Sequence, residues 1–300
     1  MGVAGGTFLI YAEYFGLKAR PFSLLPETES LFWSVNHSQA YAMLEYGLTS
    51  LAPITLITGE VGAGKTTLIR YLLRNAPHDL RIGLVSDAHS QQGRLLHWML
   101  TSFGQSVKSR TPYVELFARF ETLLRAEHAA GRHTVLIFDE AQNLSAKMLE
   151  ELRCYTNLNN EKEELLQLVL VGQPELRDIV RRPGMMQFAQ RVSSEFHLAG
   201  MPADAVPDYI AHRLRVSGGE REIFTADACE AVSDVSRGLP RVINQVCDYA
   251  LVYAFAQERK HVDRRMIRQV VADRGVTLNS MTEAPAPRAT QLEWGLPVWT

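Results

Sequence analysis

Residues Gly59, Glu60, Val61, Gly62, Ala63, Gly64, Lys65 and Thr66 satisfy the spacing GxxxxGK[ST], and Thr67 follows them. Glycines at this spacing let successive backbone N–H groups turn toward one point, where an anion sits at the positive end of the next helix. Lys65 then reaches β- and γ-phosphates, and the Thr66 hydroxyl is suited to a Mg2+ ion. The chemistry predicted is binding of ATP with Mg2+, with Gly59 to Thr67 as the binding residues. Further along, Thr134-Val135-Leu136-Ile137-Phe138 ends in Asp139 and Glu140. Two acids closing a buried strand are costly without partners. Asp139 is therefore expected to hold Mg2+ with Thr66, and Glu140 to polarise the attacking water. A third apolar run ends in Gln173, placed to orient that water or touch the γ-phosphate. Arg191 precedes the last apolar run, a position from which it would serve a neighbouring subunit's γ-phosphate. Arg241 opens a long helix after Gly238-Leu239-Pro240 and is expected to point back at the phosphates. The expected catalytic set is Lys65, Glu140, Gln173, Arg191 and Arg241.

These side chains have to be carried by elements that converge. Segments 54–58, 82–86, 135–138 and 168–171 are apolar on all sides, as strands buried on both faces must be, and 194–198 makes a fifth. Helical periodicity at 65–74, 95–103, 114–130 and 147–157 alternates with them, which predicts a parallel sheet with helices on both faces. Beyond Pro202 no strand-like run remains. Helices are expected at 204–216, 226–235, 241–257 and 264–272, with Thr225 and Asp263 at N-cap positions. Ahead of the sheet, 37–50 reads as a helix with Ala40, Leu44 and Leu48 on one face. An aromatic strap, Tyr14-Phe15-Gly16-Leu17 to Pro21-Phe22, precedes it. The expected organisation is a strap and helix packed on the core (1–50), an α/β nucleotide-binding core (51–200), an all-α lid (201–275) and a flexible tail (276–300). The tail carries Trp294, Leu296, Val298 and Trp299, which would either dock on a partner or fold back.

The composition limits the alternatives. A 46% hydrophobic, 21% charged chain of 300 residues buries a sizeable core, which excludes a disordered chain. A net charge of −2 removes bulk electrostatics as a grip on nucleic acid, so DNA binding would need a local patch. Arg264, Arg265, Arg268 and Arg274 form such a cluster, for which a solvated face is the favoured reading. Cys154, Cys229 and Cys247 lack metal or disulfide spacing and are expected as buried thiols. The nine histidines have no metal-ligand spacing either, so no structural metal is expected. No apolar run approaches the ~20 residues of a membrane helix, and no signal peptide or myristoylation pattern is present. The sequence therefore predicts a cytoplasmic protein with no membrane segment of its own.

Taken together, these motifs resemble the AAA+ ATPases of the ExeA/GspA type, close to the ORC/Cdc6-like AAA+ domain and the TniB and MuB transposition ATPases. The residues behind the resemblance are Tyr14-Phe15-Gly16-Leu17 with Pro21-Phe22, Gly59 to Thr67, Asp139-Glu140-Ala141-Gln142-Asn143-Leu144, Gly172-Gln173-Pro174-Glu175-Leu176, Gln190-Arg191-Val192 and Gly238-Leu239-Pro240-Arg241-Val242-Ile243-Asn244. After the strap, the family's Leu-Thr-Pro-Asp-Pro is replaced by Leu25-Pro26-Glu27-Thr28-Glu29. The resemblance implies a P-loop NTPase AAA+ core, a five-stranded parallel sheet between helices, with a small all-α lid. It implies Gln173 as sensor 1, Arg191 as a trans-acting finger and Arg241 as sensor 2. It also implies an ATP-dependent homo-oligomer that switches or remodels a protein partner through lid or tail, of the kind that accompanies secretion or exopolysaccharide systems. A transposition-type ATPase assembling on DNA and an ATP-binding scaffold with little turnover are the alternatives; an intact Glu140 argues against the scaffold.

Overall fold

The computed structural model describes residues 11–24, 31–86, 95–159, 163–219 and 221–282. Strands β1 (Ile54–Gly59), β2 (Leu80–Val85), β3 (His133–Phe138), β4 (Gln167–Gly172) and β5 (Val192–Leu198) form one sheet in the order β2-β3-β4-β1-β5. All pairings are parallel. Every residue of β1 and β4 is buried, which is why these strands read as unbroken apolar runs. The edge strand β5 carries polar residues, among them Ser193 and the exposed Glu195. Thr58 pairs with Gly172 and Phe138 with Leu170, so β1, β3 and β4 end along one edge of the sheet. That edge is where the loop of residues 60–64, the acid pair and Gln173 all follow.

Alternate residues serve opposite faces. Ile57, Ile137 and Val171 pack against α1 (Val35–Thr49) and α2 (Lys65–Asn75) through Leu44 and Ile69. Leu56, Phe138 and Leu170 pack with Met99 of α3 (Leu95–Ser102), Phe120 of α4 (Tyr113–Ala129) and Leu149 of α5 (Ala146–Tyr155). Two short helices, α6 (Pro174–Val180) and α7 (Met186–Ala189), complete that face. The sequence reading placed no helix directly after Gln173. Pro174 instead occupies the first helical turn, where its missing N–H leaves no bond unmade.

A second unit consists of α8 (Val206–Val216), α9 (Ala226–Ser236), α10 (Pro240–Ala256) and α11 (Arg264–Thr282). Asp263 caps as expected, its Oδ1 accepting from Met266 N at 2.8 Å. Thr225 stands at the N-cap of α9 but turns its hydroxyl to Asp227 Oδ1 at 2.5 Å. Helix α11 continues to Thr282, so residues 276–282 are helical rather than tail. The remainder of the expected tail, with Trp294, Leu296, Val298 and Trp299, lies outside the described residues, as do Leu25 to Glu29. Cys154 is exposed, contrary to expectation, while Cys229 and Cys247 are buried.

The strap also departs from expectation. Among the described residues of the first fifty, α1 packs on the sheet, whereas residues 11–24 lie on the helical unit. Phe22 is fully buried, edge-on to Phe224 at 5.8 Å. The Tyr11 hydroxyl and the Arg20 guanidinium both donate to the buried Asp248 carboxylate of α10. Lys18 N donates to Ser217 O at 2.8 Å, Arg213 Nε to Pro21 O at 2.6 Å and Asn244 Nδ2 to Ser23 O at 3.1 Å. Both faces of the sheet are already covered by helices, so the strap's aromatic side chains find their apolar partners on the second unit instead.

Candidate nucleotide site

Gly62 (φ 79°) and Gly64 (φ 103°) take left-handed backbone conformations, which a side chain would strain. Ala63 N donates to Glu60 O at 3.1 Å and closes the turn. Lys65, the first residue of α2, is buried, with Nζ 2.7 Å from Gly59 O and 3.0 Å from Glu60 O. Burial lowers its pKa, and the nearby Glu140 and Asp139 carboxylates work against that shift. The Thr66 hydroxyl donates to Asp139 Oδ2 at 2.9 Å.

Asp139 follows β3 and is buried; burial raises its carboxyl pKa, partly offset by the Thr66 hydroxyl and by Glu140 N at 3.0 Å. Glu140 has φ 55° and ψ 37°, a left-handed conformation that costs a non-glycine residue roughly 1–2 kcal/mol. Strain of this kind concentrates at functional sites. Glu140 Oε2 accepts from Gln142 Nε2 at 2.6 Å and from Gln173 Nε2 at 3.3 Å. Gln142 Oε1 in turn accepts from Gln173 N at 3.0 Å. Gln142 thus ties the acid to the end of β4. The sequence reading gave it no role, although an amide two residues past an acid pair was the available signal.

A cleft of about 330 Å³ lies between the loop and the helical unit, lined by Lys65, Thr66, Thr67, Glu140, Gln173 and Arg241 among others. Arg241 N donates to Gly62 O at 3.2 Å, and a Cβ on Gly62 would stand 2.4 Å from that of Arg241. Helix α10 therefore abuts the loop directly. The buried Arg213 of α8 and His37 of α1 also line the cleft, and neither was in the expected set. His37 Nε2 lies 2.9 Å from Ala63 O. A thiol-poor, oxygen-rich pair, the Thr66 hydroxyl and the Asp139 carboxylate, fits Mg2+, which takes few protein oxygens and keeps several waters.

Arg191 is elsewhere. Val192 pairs with Ile54 at the start of β1, so Arg191 lies at the opposite edge of the sheet, roughly 20 Å from its own loop. Its Nη2 donates to Asn157 Oδ1 at 2.8 Å. In the basic cluster, Arg264 pairs with Glu230 at 2.5 Å and Arg274 stacks on Tyr249 at 4.2 Å, whereas Arg265 and Arg268 are exposed. Among the described residues, no helix is long and apolar enough to cross a membrane.

Residues 48–180 match the family AAA_22, described as an AAA domain. Over 248 residues the chain is 39% identical to general secretion pathway protein A of Aeromonas hydrophila, covering 83% of this chain and 45% of that protein. It thus spans less than half the length of this relative. Among solved structures, Cdc6p of Pyrobaculum aerophilum superposes with a TM-score of 0.66 at 16% identity, over 84% of this chain and 70% of that one. The ORC2 protein of Aeropyrum pernix, in its ADPNP–ADP complexes, gives 0.63 at 17% identity, over 85% and 72%.

Proposed function

Because the chain belongs to the AAA+ P-loop NTPases of the ExeA/GspA type, with an ORC/Cdc6-like fold, we propose that it binds and hydrolyses ATP with Mg2+ in this cleft. The loop N–H groups and Lys65 hold the β- and γ-phosphates. Mg2+, bound at Thr66 and Asp139, would neutralise charge on the phosphate oxygens. Glu140 accepts the proton of the attacking water, and Gln173, already bonded to Glu140 Oε2, orients that water. Arg241 approaches the phosphates from the lid, residues 201–275, above the core of 51–200. Arg191 is out of reach of its own cleft and serves that of a second copy. The working species is then an ATP-dependent homo-oligomer, a cytoplasmic switch or remodeller of a protein partner met through the lid or tail. Secretion is the setting its relative's name suggests, and exopolysaccharide systems are the one the sequence resemblance adds.

The observation that carries this reading is one connected set of hydrogen bonds. Thr66 to Asp139 at 2.9 Å and Gln173 to Glu140 at 3.3 Å join three separate elements at the edge where loop and lid meet. Two substitutions test it. Lys65→Ala should abolish tight ATP binding, since the phosphates lose their main side-chain counter-charge. Glu140→Gln should keep binding and stop turnover, since an amide cannot accept the proton. Wild-type turnover in either variant, measured as phosphate release, would overturn the assignment.

A further inference from the structure

His37 is the third residue of α1 and is only 3% exposed. Its Nε2 is 2.9 Å from Ala63 O and its Nδ1 is 2.7 Å from Ser34 Oγ. A carbonyl oxygen can only accept, so Nε2 carries the hydrogen. Burial lowers the pKa of the ring and keeps it neutral, which leaves Nδ1 to accept from the Ser34 hydroxyl. Ser34 is also the N-cap of α1, its Oγ accepting from His37 N at 3.3 Å. One relay therefore runs from the helix cap, through the imidazole, to the carbonyl of the loop.

The effect on the loop follows from peptide geometry. A trans peptide sets its C=O and N–H on opposite sides. Holding Ala63 O against His37 turns the Gly64 N–H the other way, toward the space an anion would occupy. The fit is close: a Cβ on Gly64 would lie 2.7 Å from His37 Nε2. The preceding peptide is held from the lid, by Arg241 N on Gly62 O at 3.2 Å. Two successive peptides of the loop are thus fixed from outside it, by different elements.

We propose that His37 is a positioning residue for phosphate binding: its Nε2–H holds the Ala63 carbonyl so that the Gly64 N–H is aimed at the bound phosphate. The proposal rests on the nucleotide reading above. An ordinary core histidine would act by filling space, and two substitutions separate the roles. His37→Gln can place an amide N–H where Nε2–H stands, whereas His37→Phe fills the ring volume with no donor. A fluorescent ATP analogue, titrated with Mg2+ into the full chain, should bind His37→Gln within about threefold of wild type and His37→Phe about tenfold more weakly, the span of one net hydrogen bond. Phe binding as tightly as wild type, or Gln as weakly as Phe, overturns the proposal. A wild-type chain with no affinity for the analogue overturns the nucleotide reading itself, and the proposal with it. Should His37→Phe fail to fold, imidazole 15N shifts of the wild-type protein decide instead. The Nε2-protonated tautomer upholds the donor; the Nδ1-protonated tautomer overturns it.

Discussion

Asp139 shows what a residue gives up to stand in this cleft. Burial raises its carboxyl pKa from an ordinary value of 3.8, and its two hydrogen bonds recover only part of that. A carboxyl with a higher pKa folded than unfolded binds its proton more tightly in the native state. Stability then falls as pH rises from the unfolded value through the folded one, and the loss is complete above the folded value. Asp139→Asn is accordingly expected to raise Tm at pH 7 by about 2 °C in the absence of nucleotide and metal. The difference should narrow as pH falls from neutrality toward the ordinary, unfolded carboxyl value of about 4, because the native carboxyl takes up its proton before the unfolded one does. Calorimetry across that range checks it; a lower Tm for Asp139→Asn at pH 7 would mean that its hydrogen bonds outweigh its burial. The loop of Lys65 and Thr66 and the strand ending in Asp139-Glu140 could each be read from the sequence because backbone geometry fixes the spacing within each motif. Gln142 was not, since its reach to Glu140 depends on the left-handed turn at Glu140 itself. His37 was not either, because it meets Ala63 across 26 residues and from another helix.

Among the elements, the central strands were the most readable, because burial on both faces demands apolar residues at every position. The strap was readable as an ordered segment but not in its destination. Nothing in the local spacing of Tyr11, Arg20 and Phe22 says whether they meet a sheet or a helix more than two hundred positions away. Its docking can be tested through Phe22, which is fully buried against the lid. Phe22→Ala should cost about 3 kcal/mol and lower Tm by roughly 6–9 °C. Trypsin should cut faster after Lys18 in that variant, and the sheet-side helices should keep their hydrogen-exchange protection. Unchanged cleavage would mean that the strap is held by its polar contacts, to Asp248, Ser217, Arg213 and Asn244, and not by Phe22. Helix α6 was missed for a different reason: a proline after a polar amide reads locally as a turn, and only the packing of Leu176 under the sheet identifies it as a helix start.

At the scale of the whole molecule, the sheet itself separates Arg191 from the cleft. Within one chain Arg191 stands at the edge where β1 and β5 begin, and the phosphate loop at the edge where they end. An arginine inserted by a neighbour stabilises the charge that develops in phosphoryl transfer and is worth roughly 10³–10⁵ in rate. Turnover per subunit should therefore rise with protein concentration. Arg191→Ala should lose turnover and keep the nucleotide affinity of an isolated subunit. Mixing Arg191→Ala with Lys65→Ala should restore part of the activity, since each supplies what the other lacks. Specific activity that is flat with concentration, with no rescue on mixing, would remove Arg191 from the site. The strap adds a consequence in time rather than space. Ribosomes make Tyr11 and Phe22 first, yet the groove that receives them includes Asp248 and Phe224, made more than two hundred residues later. Over that stretch of synthesis the nascent chain carries those aromatics uncovered. The phosphate loop is likewise complete long before α10 emerges to hold Gly62, so cleft and clasp are finished by the same late helix.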